Sequence, residues 1–107
     1  MPPSLRLQPA LVLIGLCNEG LAGTRHSLGG TLVSSLAAAW GTRLARDAGT
    51  PCMDTAEVRL ARAAGGEARV LLARPRGFMN LSGRPAALLL RDRGVPVEDV
   101  LLAHDGV

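Results

Sequence analysis

The stretch Pro9-Ala-Leu-Val-Leu-Ile-Gly-Leu16 decides the fold class, because it is apolar over nearly its whole length and shows no polar alternation. Such a run is typical of a strand buried on both faces, as in parallel or mixed sheets covered by helices. The segment from Asn18 to Gly23 then brings in glycine and polar residues, which indicates a turn or loop. We therefore predict an α/β domain with this stretch as a central strand.

A helix is predicted directly after that loop. From about Ser27 to Trp40 the apolar residues recur at helical spacing, and Gly41 is a suitable C-terminal stop. Gly29 and Gly30 fall in the first turn, where each weakens a helix by roughly 1 kcal/mol relative to alanine. Their presence predicts that the start of this helix closely approaches another backbone.

The middle of the chain contains a predicted hairpin. Residues 42–54 are polar and include glycine and proline, so we predict a loop there. Two candidate strands follow, at about Thr55–Ala61 and Ala68–Arg74, and Ala64-Gly-Gly-Glu67 separates them as a turn.

A second helix and a last strand complete the prediction. The helix runs from about Leu81 to Arg93, with Asn80 positioned to cap it and Gly94 to end it. The run from Asp99 to Asp105 is again typical of a buried strand. The predicted order is β-α-β-β-α-β, an α/β fold with a mixed, largely parallel central sheet and flanking helices.

Composition limits the class of protein. The chain has 107 residues, 48% of them hydrophobic, and therefore corresponds to one domain. Two cysteines, Cys17 and Cys52, cannot form a disulfide-dense secreted scaffold. No apolar run reaches the ~18–20 residues that a transmembrane helix needs, and Met1–Pro9 lacks the length and apolar content of a signal peptide.

The basic balance of the chain suggests an anionic partner. The formal charge is +3 and the sequence pI is about 10.1, and all 12 basic residues are arginine. Guanidinium groups suit phosphate oxygens, so a polyanion is a plausible partner. Biased codon usage would produce the same arginine-rich, alanine-rich composition, and the charge alone does not separate the two explanations.

Three segments carry a combination of motifs. They are Gly15-Leu-Cys-Asn-Glu-Gly20 leading into Thr24-Arg-His-Ser27, then Gly77-Phe-Met-Asn-Leu-Ser-Gly83, then Ala103-His-Asp105. Each begins at or just beyond a predicted strand end or leads into a helix, so we expect them to converge at one edge of the sheet. In order and approximate spacing they resemble the bacterial-type peptidyl-tRNA hydrolase family over nearly the whole chain.

The resemblance implies specific roles for six residues. His26 matches the family's catalytic base, and Asp105 matches the carboxylate that stabilises the basic form of the imidazole. Asn18 matches the asparagine that helps to distinguish peptidyl-tRNA from free aminoacyl-tRNA. The remaining three match substrate and tRNA contacts at the site wall: Phe78, Met79 and Asn80.

The chemistry of these residue types agrees with hydrolysis of an ester. Imidazole titrates near neutral pH and can activate water as a general base, and a neighbouring carboxylate orients it and stabilises its positive charge. The implied reaction frees tRNA and peptide from peptidyl-tRNA, with a role in translation and ribosome rescue. The implied enzyme needs no cofactor or metal, binds tRNA but no membrane, and is a cytoplasmic or mitochondrial monomer.

The sequence also departs from the family pattern. Cys17 and Glu19 replace the usual glycine and proline around Asn18, and Ser27 stands where asparagine is most common; the short loop before Thr24 resembles animal versions. The chain corresponds to the family's amino-terminal half, so we assign residues 1–8 to an extension and 9–107 to a single incomplete domain. The alternative is therefore an inactive truncated isoform, at most a weak RNA-binding or interaction module.

Two other classes agree less well with the sequence. Gly15-Leu-Cys-Asn-Glu-Gly20 lacks the G-x-G-x-x-G spacing of a dinucleotide-binding turn. A metal-dependent hydrolase is disfavoured because two histidines without clustered ligands form a poor metal site. Asn80 also has an ordinary structural interpretation as a helix cap.

Overall fold

The computed structural model describes residues 11–16, 28–76 and 84–103 of the chain. The elements occur in the order β1 (Leu11–Gly15), α1 (Leu28–Ala39), β2 (Ala45–Arg46), β3 (Met53–Ala61), β4 (Glu67–Pro75), α2 (Arg84–Arg93) and β5 (Val100–Ala103), with a 3-10 turn at Val97–Asp99. The five described strands form one sheet in the order β2-β3-β4-β1-β5. β1 is parallel to β4 and β5, whereas β3 is antiparallel to β2 and β4. The predicted α/β fold with a mixed sheet and flanking helices is confirmed.

β1 lies between two hydrophobic clusters, one on each face of the sheet. Val12 and Ile14 are fully buried in a cluster with Leu89 of α2. On the opposite face, Leu13 packs against a cluster that contains Val33 of α1. The two helices therefore cover opposite faces of the sheet, which explains why the β1 sequence has no polar alternation.

Glycine ends both helices in the same way. Gly41 follows α1 with a φ of 76° and Gly94 follows α2 with a φ of 67°, a region that glycine enters without steric cost. After Gly41, the N–H of Thr42 donates to the carbonyl of Ala37 at 2.8 Å, as in a Schellman motif. An equivalent bond follows Gly94, so both predicted stops are confirmed.

The predicted hairpin is present, but its surroundings differ from the prediction. β3 and β4 pair from Met53 opposite Pro75 to Ala61 opposite Glu67. The prediction of a continuous loop over 42–54 is wrong, because β2 pairs with β3 and β3 itself begins at Met53. β2 has only two residues, both exposed, and therefore carries no alternation by which a sequence could reveal it.

The leucines of α2 occupy different environments. Leu89 is fully buried, whereas Leu88 is 41% exposed and Leu90 is only partly buried. Consecutive residues point about 100° apart around a helix, so three in a row cannot all face the sheet. Only the side of α2 that is centred on Leu89 contributes to the core.

A buried carboxylate connects the loop before β3 to the end of α2. Asp47 is 4% exposed. Its Oδ2 accepts the backbone N–H groups of Gly49 at 3.1 Å and Thr50 at 2.8 Å. Its Oδ1 accepts the Thr55 hydroxyl at 2.8 Å and also the guanidinium of Arg93. Asp47 therefore joins the loop before β3 and β3 itself to the end of α2, which the sheet pairing alone does not hold.

Candidate functional site at the carboxyl ends of the parallel strands

The parallel strands end together at one edge of the sheet. Ile14 of β1 pairs with Ala73 of β4, and Gly15 pairs with Ala103, the last residue of β5. Ligands of open α/β sheets bind outside the carboxyl ends of the strands. We name this edge the carboxyl rim. We define it by the described residues where β1, β4 and β5 end and where α1 begins: Leu16, Arg76, Ala103 and Leu28.

Helix α1 begins directly on the carboxyl rim. The N–H of Leu16 donates to the carbonyl of Ala103 at 2.9 Å, which joins the exits of β1 and β5. A Cβ at Gly29 would lie 2.6 Å from the carbonyl oxygen of Leu16 and would overlap that of Ala103. A Cβ at Gly15 would in turn overlap the carbonyl of Gly29. The predicted close approach of this helix start to another backbone is confirmed.

Gly29→Ala is expected to destabilise the protein. The added methyl group would meet backbone atoms that no side-chain rotation can move, and overpacking typically costs about 1–3 kcal/mol. Because the overlap is with backbone atoms, we place the cost at the upper end of this range, about 3 kcal/mol. Alanine's better helix propensity offsets about 1 kcal/mol of it, so we expect a net loss of about 2 kcal/mol in urea unfolding. Ser35→Thr, which adds a methyl group at an exposed position of α1, is the matched control. A Gly29→Ala protein as stable as the parent would contradict the close approach.

The site residues predicted from the sequence lie outside the described residues: Asn18, His26, Phe78, Met79, Asn80 and Asp105. The structure does describe the residues that flank the segments containing them. Leu16 precedes Asn18 by two positions, and the other three rim residues are equally close in sequence to a predicted residue. The three strand exits and the start of α1 are thus gathered at one rim, whereas the site side chains themselves stay predictions.

A polar cluster adjoins the rim at the end of β4. Asp54, whose side chain is 10% exposed, accepts from Arg74 at 3.0 Å and from Arg76 at 2.6 Å, each on a different oxygen. Arg74 also donates to the hydroxyl of Ser34 on α1 at 2.7 Å. We call these four residues the arginine clamp. It fastens β3, β4 and α1 together on one face of the sheet.

The sequence interpretation missed the arginine clamp. The sequence placed Asp54 in a predicted loop, and it indicated no role for Arg74 beyond the last residue of a predicted strand. The sequence did contain one indication of the clamp, since Asp54 and Arg74 are charged residues next to apolar strand residues. Asp54 becomes recognisable as the partner of Arg74 only when the hairpin register is known.

The clamp perturbs the carboxyl group of Asp54. Burial by itself would raise the pKa of this carboxyl, but the hydrogen bonds and charges of Arg76 and Arg74 together outweigh burial. The pKa of Asp54 consequently lies below its ordinary value of 3.8. The carboxylate therefore stays ionised and paired at neutral pH.

This pKa shift predicts a pH-dependent contribution to stability. A carboxyl with a lowered pKa in the folded state stabilises the protein above its unfolded pKa, and this stabilisation is lost as the pH falls through the folded value. We expect the difference in free energy of unfolding between the parent and Asp54→Asn to be constant above about pH 5 and to shrink below pH 3.8. Urea unfolding between about pH 2.5 and 6 measures this difference, with exposed Glu67→Gln as the control. A difference that does not change with pH would refute the ion pairing.

The described residues contain neither a membrane-spanning helix nor a cluster of metal ligands. No described helix is both long enough and apolar enough to span a membrane. In the described ranges, no three His, Cys, Asp or Glu side chains come together as a possible metal-ligand set.

The fold and the carboxyl rim define an α/β protein with a mixed sheet and a candidate site where its parallel strands end. Residues 12–107 match the family model described as peptidyl-tRNA hydrolase. The chain therefore belongs to the peptidyl-tRNA hydrolase family.

Individual relatives agree with this assignment. The chain is 42% identical over 99 residues to a peptidyl-tRNA hydrolase of Nocardia farcinica, a match that covers 91% of this chain and 48% of the relative. It is 34% identical over 94 residues to a probable peptidyl-tRNA hydrolase of the mouse, covering 88% and 44% respectively. The crystal structure of a variant of the Acinetobacter baumannii peptidyl-tRNA hydrolase superposes with a TM-score of 0.68 at 27% identity, covering 92% of this chain and 48% of that one. The chain thus spans about half the length of the relatives it matches.

Proposed function

We propose that this chain hydrolyses the ester bond of peptidyl-tRNA and releases tRNA and peptide. The observation that carries the proposal is the convergence of the strand exits and the helix entry at the carboxyl rim. Three segments of the chain carry the motif residues, and the structure gathers the four described ends of these segments there. Membership of the peptidyl-tRNA hydrolase family supports the choice of substrate.

In the proposed mechanism, His26 removes a proton from a water molecule, whose oxygen bonds to the ester carbonyl carbon. The bond from this carbon to the ribose oxygen of the tRNA then breaks, and the imidazolium returns its proton to that oxygen, which releases tRNA and peptide. Asp105 orients the imidazole and stabilises the positive charge that develops on it. Asn18 and Asn80 supply amide groups that donate and accept hydrogen bonds without a change of charge. Phe78 and Met79 form apolar contacts with the substrate. The mechanism uses no metal and no cofactor.

The alternative is a form without catalysis, which binds RNA or a partner weakly. Cys17 and Glu19 favour it, because they replace the family's usual residues beside Asn18. Glu19 in particular adds a negative charge next to a site that a phosphodiester must approach.

The direct test is the release of N-acetyl amino acid from N-acetyl-aminoacyl-tRNA by the purified protein. Free aminoacyl-tRNA serves as the comparison substrate, because the proposed role of Asn18 requires preference for the blocked amine. Faster cleavage of the blocked substrate supports the proposal. No turnover by a folded protein refutes it and leaves the non-catalytic alternative.

A further inference from the structure

The arginine clamp presents positive charge to solvent while its negative charge is covered. The side chains of Arg74 and Arg76 are 32% and 40% exposed, whereas that of Asp54 is 10% exposed. Two guanidinium groups face one carboxylate, so the cluster keeps one net positive charge. A dissolved anion therefore meets the arginines rather than the acid.

The two arginines differ in how many of their guanidinium nitrogens already donate hydrogen bonds within the protein. Arg74 donates from one amino group to Asp54 and from the other to Ser34, so both of its terminal nitrogens are engaged. Arg76 donates to Asp54 through a single terminal nitrogen, and among the described residues no other acceptor contacts its guanidinium. Asp54 thus fixes the orientation of Arg76, whose Nε–H and second amino group remain able to donate.

Arg76 also occupies a distinctive position along the chain. Its backbone N–H donates to the carbonyl of Cys52 at 2.9 Å, which holds the residue where β4 ends. Two positions further on is Phe78, the first residue of the motif that the proposed function assigns to substrate contact. A charged group at this point adjoins the predicted site.

We propose that Arg76, oriented by Asp54, binds a backbone phosphate of the tRNA acceptor end. The proposal rests on the function proposed above for the substrate class, and it adds a specific phosphate-binding residue. A guanidinium fork matches the geometry of two phosphate oxygens, and pre-orientation by a carboxylate lowers the conformational entropy that binding would otherwise cost.

The test is binding of uncharged, fluorescein-labelled tRNA to the full chain, followed by fluorescence anisotropy between about 50 and 200 mM KCl. We expect Arg76→Gln to weaken binding about tenfold at the lowest salt and to reduce the slope of log K against log [KCl] by about 1. Arg76→Lys should keep the slope, because it keeps the charge, yet bind less tightly, because it lacks the fork. Thermal unfolding verifies that both variants fold.

Arg59→Gln is the matched control. It removes the same charge from an exposed residue at the hairpin end of β3, about 20 Å of strand away from the rim. If Arg59→Gln and Arg76→Gln changed the slope equally, the loss of one positive charge anywhere on the protein would explain the result, and the proposal would be overturned. An unchanged slope in Arg76→Gln, or no tRNA binding by the parent, would overturn it as well.

The binding test is independent of the test for hydrolysis. A protein that cleaves N-acetyl-aminoacyl-tRNA but shows no change of slope in Arg76→Gln would refute the phosphate contact alone. A protein that shows the change of slope without turnover would refute the hydrolase proposal and retain the phosphate contact.

Discussion

Asp47→Ala is expected to lower the free energy of unfolding by about 3 kcal/mol, the lower end of the cost of removing one partner of a buried ion pair, because the Arg93 partner is partly exposed. Asp47 is 4% exposed, and its two oxygens accept from Gly49, Thr50, Thr55 and Arg93. Alanine would leave two backbone donors and a hydroxyl without this acceptor, and the donor at Thr50 is buried. It would also leave the Arg93 guanidinium, whose side chain is 25% exposed, without this carboxylate.

Urea unfolding followed by circular dichroism measures the loss. Domains of this size have stabilities of roughly 5–15 kcal/mol, so Asp47→Ala would remove a large share of the total and shift the urea midpoint clearly downward. Asp47→Asn keeps the shape and one acceptor oxygen, so we expect a smaller loss. Glu98→Ala removes an exposed carboxylate and is expected to stay within about 0.5 kcal/mol of the parent. A loss below about 1 kcal/mol for Asp47→Ala would show that solvent replaces these contacts.

The parts of the fold that follow from local physical chemistry could be predicted from the sequence. β1 was recognisable because burial on both faces removes polar residues from a strand. The ends of α1 and α2 were recognisable because Gly41 and Gly94 adopt positive φ there. The unfavourable Gly29 correctly indicated a close backbone contact, since a helix otherwise has reason to avoid glycine in its first turn.

The parts that depend on register could not be predicted in the same way. The sequence indicated a turn at Ala64–Glu67, whereas the hairpin bond from the N–H of Arg62 to the carbonyl of Gly66 centres the loop on Ala64. A shift of this kind changes every cross-strand partner. The pairing of Asp54 with Arg74, and hence the arginine clamp, therefore became apparent only from the structure.

The candidate site shows a different limit. Its six residues were predicted from the order of the motifs. The segments that contain them show no hydrophobic periodicity, so the sequence gives no basis for predicting their local structure. What the structure adds is the common rim of Leu16, Leu28, Arg76 and Ala103, the described positions next to those segments. The rim supports a single site, while the roles within it have to be tested by substitution.

His26→Ala is expected to reduce the hydrolysis of N-acetyl-aminoacyl-tRNA by about 10²–10⁴-fold, the usual contribution of a general base. The effect should fall mainly on kcat, because the imidazole acts on water in the transition state rather than on the bound ester. The parent should also lose activity toward acidic pH, because a protonated imidazole cannot accept a proton from water. That loss toward acidic pH should be absent from the residual activity of His26→Ala.

The chain provides its own control, since His104 is the only other histidine. His104→Ala removes the imidazole that precedes Asp105 in the sequence without removing the proposed base, so it should retain most of the activity and the loss toward acidic pH. Asp105→Asn should lower kcat while leaving His26 in place, because the imidazolium then lacks its stabilising carboxylate. If His104→Ala instead abolished turnover and His26→Ala did not, the base would be His104, and the role that family resemblance gives to His26 would be wrong.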